Sequence, residues 1–150
     1  MLAILIPNIT IIAVDINDKA LELAKQNAKK HNVEDKITFI KSDLYQNIPN
    51  ESKFDMTISN PPYIANRFKL PKNVKFEPSN ALFGGEVGDE LLKDIILQTK
   101  QRDIPRVLCE MGYDQKQPLT TFVKEHIKSY KKLEFYQDYD KLDRGFELIY

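Results

Sequence analysis

Apolar, β-branched runs that each stop at a polar residue, separated by stretches of helical periodicity, constrain this chain more than any other feature of its sequence. Thr10 to Val14 is such a run, stopping at Asp15, and it reads as a strand covered on both faces. Asn17 is placed to cap a helix from about Asp18 to His31. Leu21, Ala24 and Ala28 recur there at helical spacing while Lys19, Lys25 and Lys29 lie elsewhere around the barrel. His31-Asn32 marks its end. Ile37 to Ile40 and Met56 to Ser59 read as two further strands, finishing at Asp43 and Asn60. Leu91, Leu92, Ile95, Ile96 and Thr99 describe an amphipathic helix, Arg106 to Met111 a strand, and Leu119, Phe122, Val123 and Ile127 another helix face. Leu133 to Tyr136 and Phe146 to Ile149 read as an antiparallel pair around a polar turn containing Gly145. The alternation implies an α/β fold with a mostly parallel sheet, helices on both faces, and ligands beyond the carboxyl ends of the strands.

Composition narrows the function classes. With 150 residues, 42% hydrophobic and 29% charged, the chain has the length and balance of one globular domain. Its 22 Lys and Arg offset 22 Asp and Glu, so no long-range field gathers polyanions and a dedicated nucleic-acid module is disfavoured. A single cysteine, Cys109, excludes an internal disulfide framework and fits a reducing, cytoplasmic setting. Met1 to Ile6 stops at Pro7 with no Lys or Arg before it, too short and wrongly flanked for a signal peptide or a membrane span. One long stretch, Ile64 to Gly88, reads as irregular, with Gly84-Gly85 as a flexible turn.

The residues at the strand ends carry the chemistry. In Asn60-Pro61-Pro62-Tyr63 two adjacent prolines fix the backbone and remove two N–H donors, which leaves carbonyl oxygens free to face a substrate. A planar amide or exocyclic amine fits this segment. One N–H would go to the Asn60 side-chain oxygen and the other to the Pro61 carbonyl, with the Tyr63 ring over its flat face. Alone, the tetrad is also an ordinary strand-ending turn. Asp15 is placed to accept from two ribose hydroxyls, and Asp43 from an adenine amino group with Leu44 packed on the base. Taken singly, Asp15 reads equally as a turn residue and Asp43 more readily as a solvated one. Together the three strand ends make an adenosine-like cofactor and a planar nitrogen substrate the economical reading. His31 and His126 lack metal-ligand companions, so no metal site is expected. Cys109, inside an apolar strand, reads as a buried small side chain. Tyr130, Tyr136 and Tyr139 have lysines nearby, but Glu125, Glu134, Asp138, Asp140 and Asp143 cancel that charge.

On these residues the chain resembles the S-adenosylmethionine-dependent methyltransferases, and specifically the HemK-type protein-glutamine N5-methyltransferases that act on peptide-chain release factors. The likeness runs through Ala13-Val14-Asp15-Ile16, Ser42-Asp43-Leu44, Phe54-Asp55, Ser59-Asn60-Pro61-Pro62-Tyr63-Ile64, Phe76-Glu77-Pro78, Ala81-Leu82-Phe83-Gly84-Gly85-Glu86 with Gly88, and Glu110-Met111-Gly112 with Asp114-Gln115. The tetrad is shared with adenine-N6 DNA methyltransferases; the segment from Phe76 to Gly88 selects the glutamine enzymes. The resemblance implies a Rossmann-like class I methyltransferase fold that binds S-adenosylmethionine and releases S-adenosylhomocysteine. It implies that Asp15, Ile16, Asp43, Leu44 and Asn60 bound the cofactor, and that Asn60, Pro61, Pro62 and Tyr63 hold the substrate glutamine. A release factor is the implied partner, with neither membrane nor nucleic acid.

Two departures from the family pattern shape the remaining expectations. The family's glycine-rich strand-to-helix loop and small helical N-terminal domain have no counterpart in residues 1–150, which therefore read as a partial catalytic domain. Met1 to Pro7 resembles the tail of the helix that follows that loop. The strand before the loop lies centrally in the family fold, so the strands ending at Asp15 and Asn60 are each expected to show an unpaired edge. The alternatives are an adenine-N6 DNA or RNA methyltransferase, whose exocyclic amine satisfies the same acceptors, and a non-catalytic remnant of the fold. The segment Ile64 to Gly88 is expected to be a substrate-facing flap anchored at Phe76, Leu82 and Phe83.

Overall fold

The computed structural model describes residues 1–68 and 82–150, which divide into two compact units, Met1–Ser52 and Lys53–Tyr150. Phe76, Glu77, Pro78 and Ala81 of the expected flap lie outside the described residues.

The first unit holds α1 (Leu2–Leu5), β1 (Ile11–Asp15), α2 (Asp18–Lys30) and β2 (Ile37–Lys41), with a single 3₁₀ turn at Glu34–Lys36. Helix α2 starts where its cap requires, the Asn17 side chain accepting from the Lys19 N–H at 2.9 Å. It ends at His31, and Asn32 takes the left-handed φ of 53° that turns the chain back. Strands β1 and β2 pair in parallel from Ile11 opposite Ile37 to Asp15 opposite Lys41. The core of this unit is small. Ala3, Ala28 and Val33 are buried, with Ile9, Ile11, Ile37 and Phe39 packed against them. No residue of β1 is fully buried and Val14 is 37% exposed, so the expectation of a strand covered on both faces is corrected. The apolar run is there, but only its α2-facing side chains find a core.

The second unit contains β3 (Thr57–Ser59), β4 (Ile64–Ala65), β5 (Phe83–Gly85), α3 (Glu90–Gln101), β6 (Arg106–Glu110), α4 (Lys116–His126), β7 (Lys132–Gln137) and β8 (Asp143–Ile149). Its main sheet has the order β3-β6-β8-β7, with β3 parallel to β6 and the last two ladders antiparallel. Alternate residues Val107 and Cys109 of β6 and Phe146 and Leu148 of β8 are buried side by side. Leu92, Ile95, Ile96 and Thr99 of α3 and Leu119 and Val123 of α4 are likewise buried. These are the faces expected from their helical spacing. Among the described residues β1 pairs only with β2 and β3 only with β6, which leaves one edge of each unpaired as expected.

Two expectations about turns are corrected. Gly145 lies inside β8, opposite Glu110 and Tyr136, and the turn is at Asp138 to Leu142, where the Asp138 carboxylate accepts from the backbone N–H groups of Asp140 and Leu142. A Cβ at Gly145 would stand 3.0 Å from the Cys109 carbonyl oxygen, so close strand approach rather than turning explains the glycine. The stretch from Ile64 to Gly88 is also not irregular throughout, since β4 and β5 pair in parallel within it.

Phe146, with no solvent exposure, sits opposite both Cys109 and Phe135. Its replacement by Ala should cost about 3–5 kcal/mol, through lost burial and the cavity left behind. Urea titration followed by far-ultraviolet circular dichroism, with wild type in parallel, measures this.

Candidate active site

In the first unit, Asp15 and the Ser42–Leu44 segment meet at the carboxyl ends of two paired strands. The Asp15 carbonyl accepts from the Ser42 N–H at 3.1 Å, continuing the β1–β2 ladder by one bond. One carboxylate oxygen of Asp15, Oδ1, accepts from the Asn17 N–H at 2.7 Å. This bond holds the carboxylate over the start of α2 through one oxygen only. Ile16 beside it is 52% exposed.

Leu44 is the strained residue of this half. Its φ of 46° lies in the left-handed region, where a non-glycine residue costs about 1–3 kcal/mol. The buried Ser42 hydroxyl enforces the conformation, donating to the Leu44 carbonyl at 2.9 Å and accepting from the Asn47 N–H at 3.0 Å. Asn47 is held in turn, its side-chain amide donating to the Lys41 carbonyl at 2.8 Å. The exposed Asp43 is thereby presented between two fixed neighbours. Sequence reasoning named Ser42 only as part of a motif; its buried hydroxyl is what shapes the turn.

In the second unit, Asn60 follows β3 directly and Ile64–Ala65 forms β4, so Asn60-Pro61-Pro62-Tyr63 spans the gap between two ladders. Asn60 is exposed, Pro61 is buried, and Pro62 and Tyr63 are half-buried. The glycines lie against this segment. A Cβ on Gly84 would fall 2.3 Å from the Pro62 carbonyl oxygen, and one on Gly88 2.7 Å from the Tyr63 carbonyl oxygen. Gly84 is therefore a close-packing residue within β5, which corrects the flexible-turn expectation for Gly84-Gly85. Gly88 additionally has a φ of 97°. The Ile64 N–H donates to the carbonyl of buried Leu82 at 3.0 Å. The described end of the expected flap, Leu82 to Gly88, thus borders the tetrad by backbone contact.

Glu90 secures that border. Its carboxylate accepts from the N–H groups of Val87 at 2.9 Å and Gly88 at 2.7 Å. Desolvation acts to raise its pKa, but these backbone donors outweigh it and hold the carboxyl below the ordinary glutamate value. From the opposite side of the sequence comes Gln115, only 5% exposed, whose side-chain Nε2 donates to the Tyr63 carbonyl at 2.9 Å. Neither Glu90 nor Gln115 was assigned a role from sequence. The signal for both was their position at a helix start, two residues after Gly88 and three after Gly112.

The structure brings Asp15, Ile16, Asp43 and Leu44 together in one unit and Asn60, Pro61, Pro62 and Tyr63 together in the other. His31 ends α2, and His126 Nδ1 lies 3.0 Å from the Phe122 carbonyl with its ring stacked on Phe122. Among the described residues no cluster of His, Cys, Asp and Glu is arranged to hold a metal.

Residues 1–75 match the family model described as methyltransferase small domain. The chain belongs to that family. It is 34% identical over 148 residues to a bifunctional methyltransferase of Rickettsia typhi, which covers 95% of this chain and 28% of the relative. To the release factor glutamine methyltransferase of Aquifex aeolicus it is 33% identical over 144 residues, covering 92% of this chain and 49% of that protein. To the ribosomal protein uL3 glutamine methyltransferase of Francisella tularensis it is 44% identical over 93 residues, 61% of this chain and 29% of that protein. The chain thus spans from 28% to 49% of the length of these relatives. Among solved structures, the catalytic domain of human METTL16 in complex with an RNA hairpin superposes with a TM-score of 0.77 at 18% identity, covering 99% of this chain and 58% of that one. At that identity the likeness concerns the fold, which is the Rossmann-like class I methyltransferase fold that the family resemblance implies.

Cys109 pairs with Ser59, the residue before Asn60, and is buried. Burial pushes its thiol up to about 12, against a small lowering by the Ser59 backbone. Because the thiolate is the reactive form, native Cys109 should resist iodoacetamide at pH 8 and react once the chain is unfolded in urea. Mass spectrometry of the alkylated protein distinguishes the two, and rapid modification of the native chain would contradict this burial.

Proposed function

We propose that this methyltransferase-family chain transfers a methyl group from S-adenosylmethionine to the side-chain nitrogen of a glutamine in a peptide-chain release factor. The observation that carries the reading is the Asn60–Tyr63 segment, two prolines without N–H groups between an exposed Asn amide and a half-buried Tyr ring, packed on Gly84 and Gly88. Curated relatives with glutamine methyltransferase names support a protein amide over a nucleobase. The balanced charge supports it too, since a nucleic-acid track needs a surplus of Lys and Arg.

The residues of the first unit fit the cofactor. Asp15 keeps one carboxylate oxygen for a ribose diol after Asn17 takes the other, and exposed Asp43 suits an adenine amino group beside Leu44. When bound, S-adenosylmethionine supplies an electrophilic methyl on a sulfonium. The chain's part is to present the nitrogen. An amide nitrogen is a poor nucleophile because its lone pair is delocalised into the carbonyl, so it must be held in line and its gain of positive charge stabilised. The Asn60 side-chain oxygen and the Pro61 carbonyl accept its two N–H groups, while Tyr63 covers the amide plane. No strong base is needed before transfer, because the nitrogen loses its proton more readily once methylated. Such a reaction takes place where release factors work, in the cytoplasm; among the described residues no helix is long and apolar enough to cross a membrane.

The test incubates the purified protein with methyl-labelled S-adenosylmethionine and a release factor bearing its Gly-Gly-Gln loop. Label should enter that glutamine and disappear when it is replaced by Ala. Asn60→Ala should lower turnover about 10²-fold or more, with a far smaller change in calorimetric affinity for S-adenosylhomocysteine. Labelling of duplex DNA with none on the release factor would overturn the reading in favour of an adenine enzyme. Cofactor binding without transfer to either would favour a non-catalytic remnant.

A further inference from the structure

The Asn60–Tyr63 segment is tied to α4 by one buried side chain whose orientation chemistry leaves unambiguous. Gln115 Oε1 accepts from the Gly112 N–H at 2.8 Å, and its Nε2 donates to the Tyr63 carbonyl at 2.9 Å. Gly112 N–H can only donate and the Tyr63 carbonyl can only accept, so the amide cannot be reversed. The Gln115 backbone is equally committed, its N–H to the Gly112 carbonyl at 3.1 Å and its carbonyl to the Leu119 N–H at 3.0 Å. A clamp thus runs from the end of β6, through Gln115, to the carbonyl of the tyrosine that closes the tetrad.

We propose that Gln115 is the positioning residue of the acceptor segment, holding the Tyr63 peptide so that the Pro61 carbonyl, the Asn60 amide and the Tyr63 ring stay aligned on one substrate nitrogen. The inference deepens the glutamine-methylation reading and rests on it. Pro61 and Pro62 cannot anchor the segment through N–H groups, so its carbonyls must be held from outside. Gly84 and Gly88 supply close packing beneath it but no side chain; Gln115 supplies a directional bond. Gln115 does not touch the reacting nitrogen in this arrangement. It acts through Tyr63.

Replacement by Glu gives a readout that packing alone would not. A protonated carboxyl reproduces both bonds, its O–H donating to the Tyr63 carbonyl and its other oxygen accepting from Gly112. An ionised carboxylate sets an acceptor against an acceptor. Burial and the facing Tyr63 carbonyl disfavour the ionised form and the single Gly112 N–H favours it, a balance that, with an acceptor set against the carboxylate, places the variant's titration above the ordinary glutamate value of about 4.3.

The experiment measures methyl transfer to the release factor by wild type, Gln115→Met and Gln115→Glu from pH 5.5 to 9. Gln115→Met should lose about tenfold or more in kcat at every pH, with calorimetric affinity for S-adenosylhomocysteine within about twofold of wild type. Gln115→Glu should match the Met variant at high pH and recover toward wild type as the pH falls. A ratio to wild type that is flat with pH for Gln115→Glu, or an unchanged kcat for Gln115→Met, overturns the proposal. If Gln115→Met does not fold, the pH dependence of Gln115→Glu decides alone. Nuclear magnetic resonance separates the two levels of failure: the Ile64 amide nitrogen, bonded to the Tyr63 carbonyl carbon, should shift as Gln115→Glu titrates. That shift without any labelling by wild type would sink the methylation reading and keep the clamp. Wild-type labelling with no shift and no loss of kcat would sink the clamp alone.

Discussion

Two consecutive prolines make a rigid segment that cannot hold itself in place. Pro61 and Pro62 contribute no N–H, so the turn between β3 and β4 has carbonyl oxygens to offer and few donors with which to anchor them. The second unit is arranged around that deficit. The β3–β6 ladder fixes the approach at Ser59, opposite buried Cys109, and the β4–β5 pair fixes the exit at Ile64. Between them, Gly84 and Gly88 allow backbone to come within a distance that any Cβ would forbid, and Gln115 provides the donor that the prolines lack. Glu90 then pins the N–H groups of Val87 and Gly88, so the packing partner is itself held.

The first unit meets a comparable demand by strain instead of close packing. Leu44 occupies a backbone region costly for its type, and the cost persists because Ser42, buried, bonds to both sides of the turn. The result projects an exposed Asp43 beside a fixed apolar residue. Asp15, by contrast, is unstrained: Asn17 caps α2 and its own N–H steadies the Asp15 carboxylate, so one short segment both starts the helix and fixes the strand end. In a unit with a small core, these local bonds fix the strand ends where packing does not reach.

Legibility in the sequence tracked the range of the interactions. Helix α2 and its Asn17 cap, the buried faces of α3 and α4, and the antiparallel β7–β8 pair all follow from local periodicity and were readable directly. What was not readable depends on neighbours distant in the chain. Gly145 looks like a turn residue until β6 is seen to pass within 3.0 Å of its missing side chain. Gly84-Gly85 reads as a flexible turn until the Pro62 carbonyl is seen to occupy the space above Gly84. Gln115 and Tyr63 are separated by 52 residues, and no spacing rule connects them. The candidate ligand-facing residues were legible because strand ends mark themselves by a change from apolar to polar; their supports were not.

That asymmetry bears on how the site discriminates among nitrogens. An exocyclic adenine amine and a glutamine amide both present two N–H groups in a plane, so on the proposed reading the Asn60 oxygen, Pro61 carbonyl and Tyr63 ring would accept either with similar geometry. Discrimination must then come from what surrounds the plane, where a nucleobase brings a ring to stack and a phosphate backbone to neutralise, and a glutamine brings a slender aliphatic stem on a polypeptide. With 22 basic and 22 acidic residues, the chain has no surplus charge to invest in a phosphate track. A peptide imposes no such requirement, and an access route just wide enough for a side-chain stem would exclude a purine on size alone. On the proposed reading, the tetrad would define the reacting atom and the walls around it the substrate.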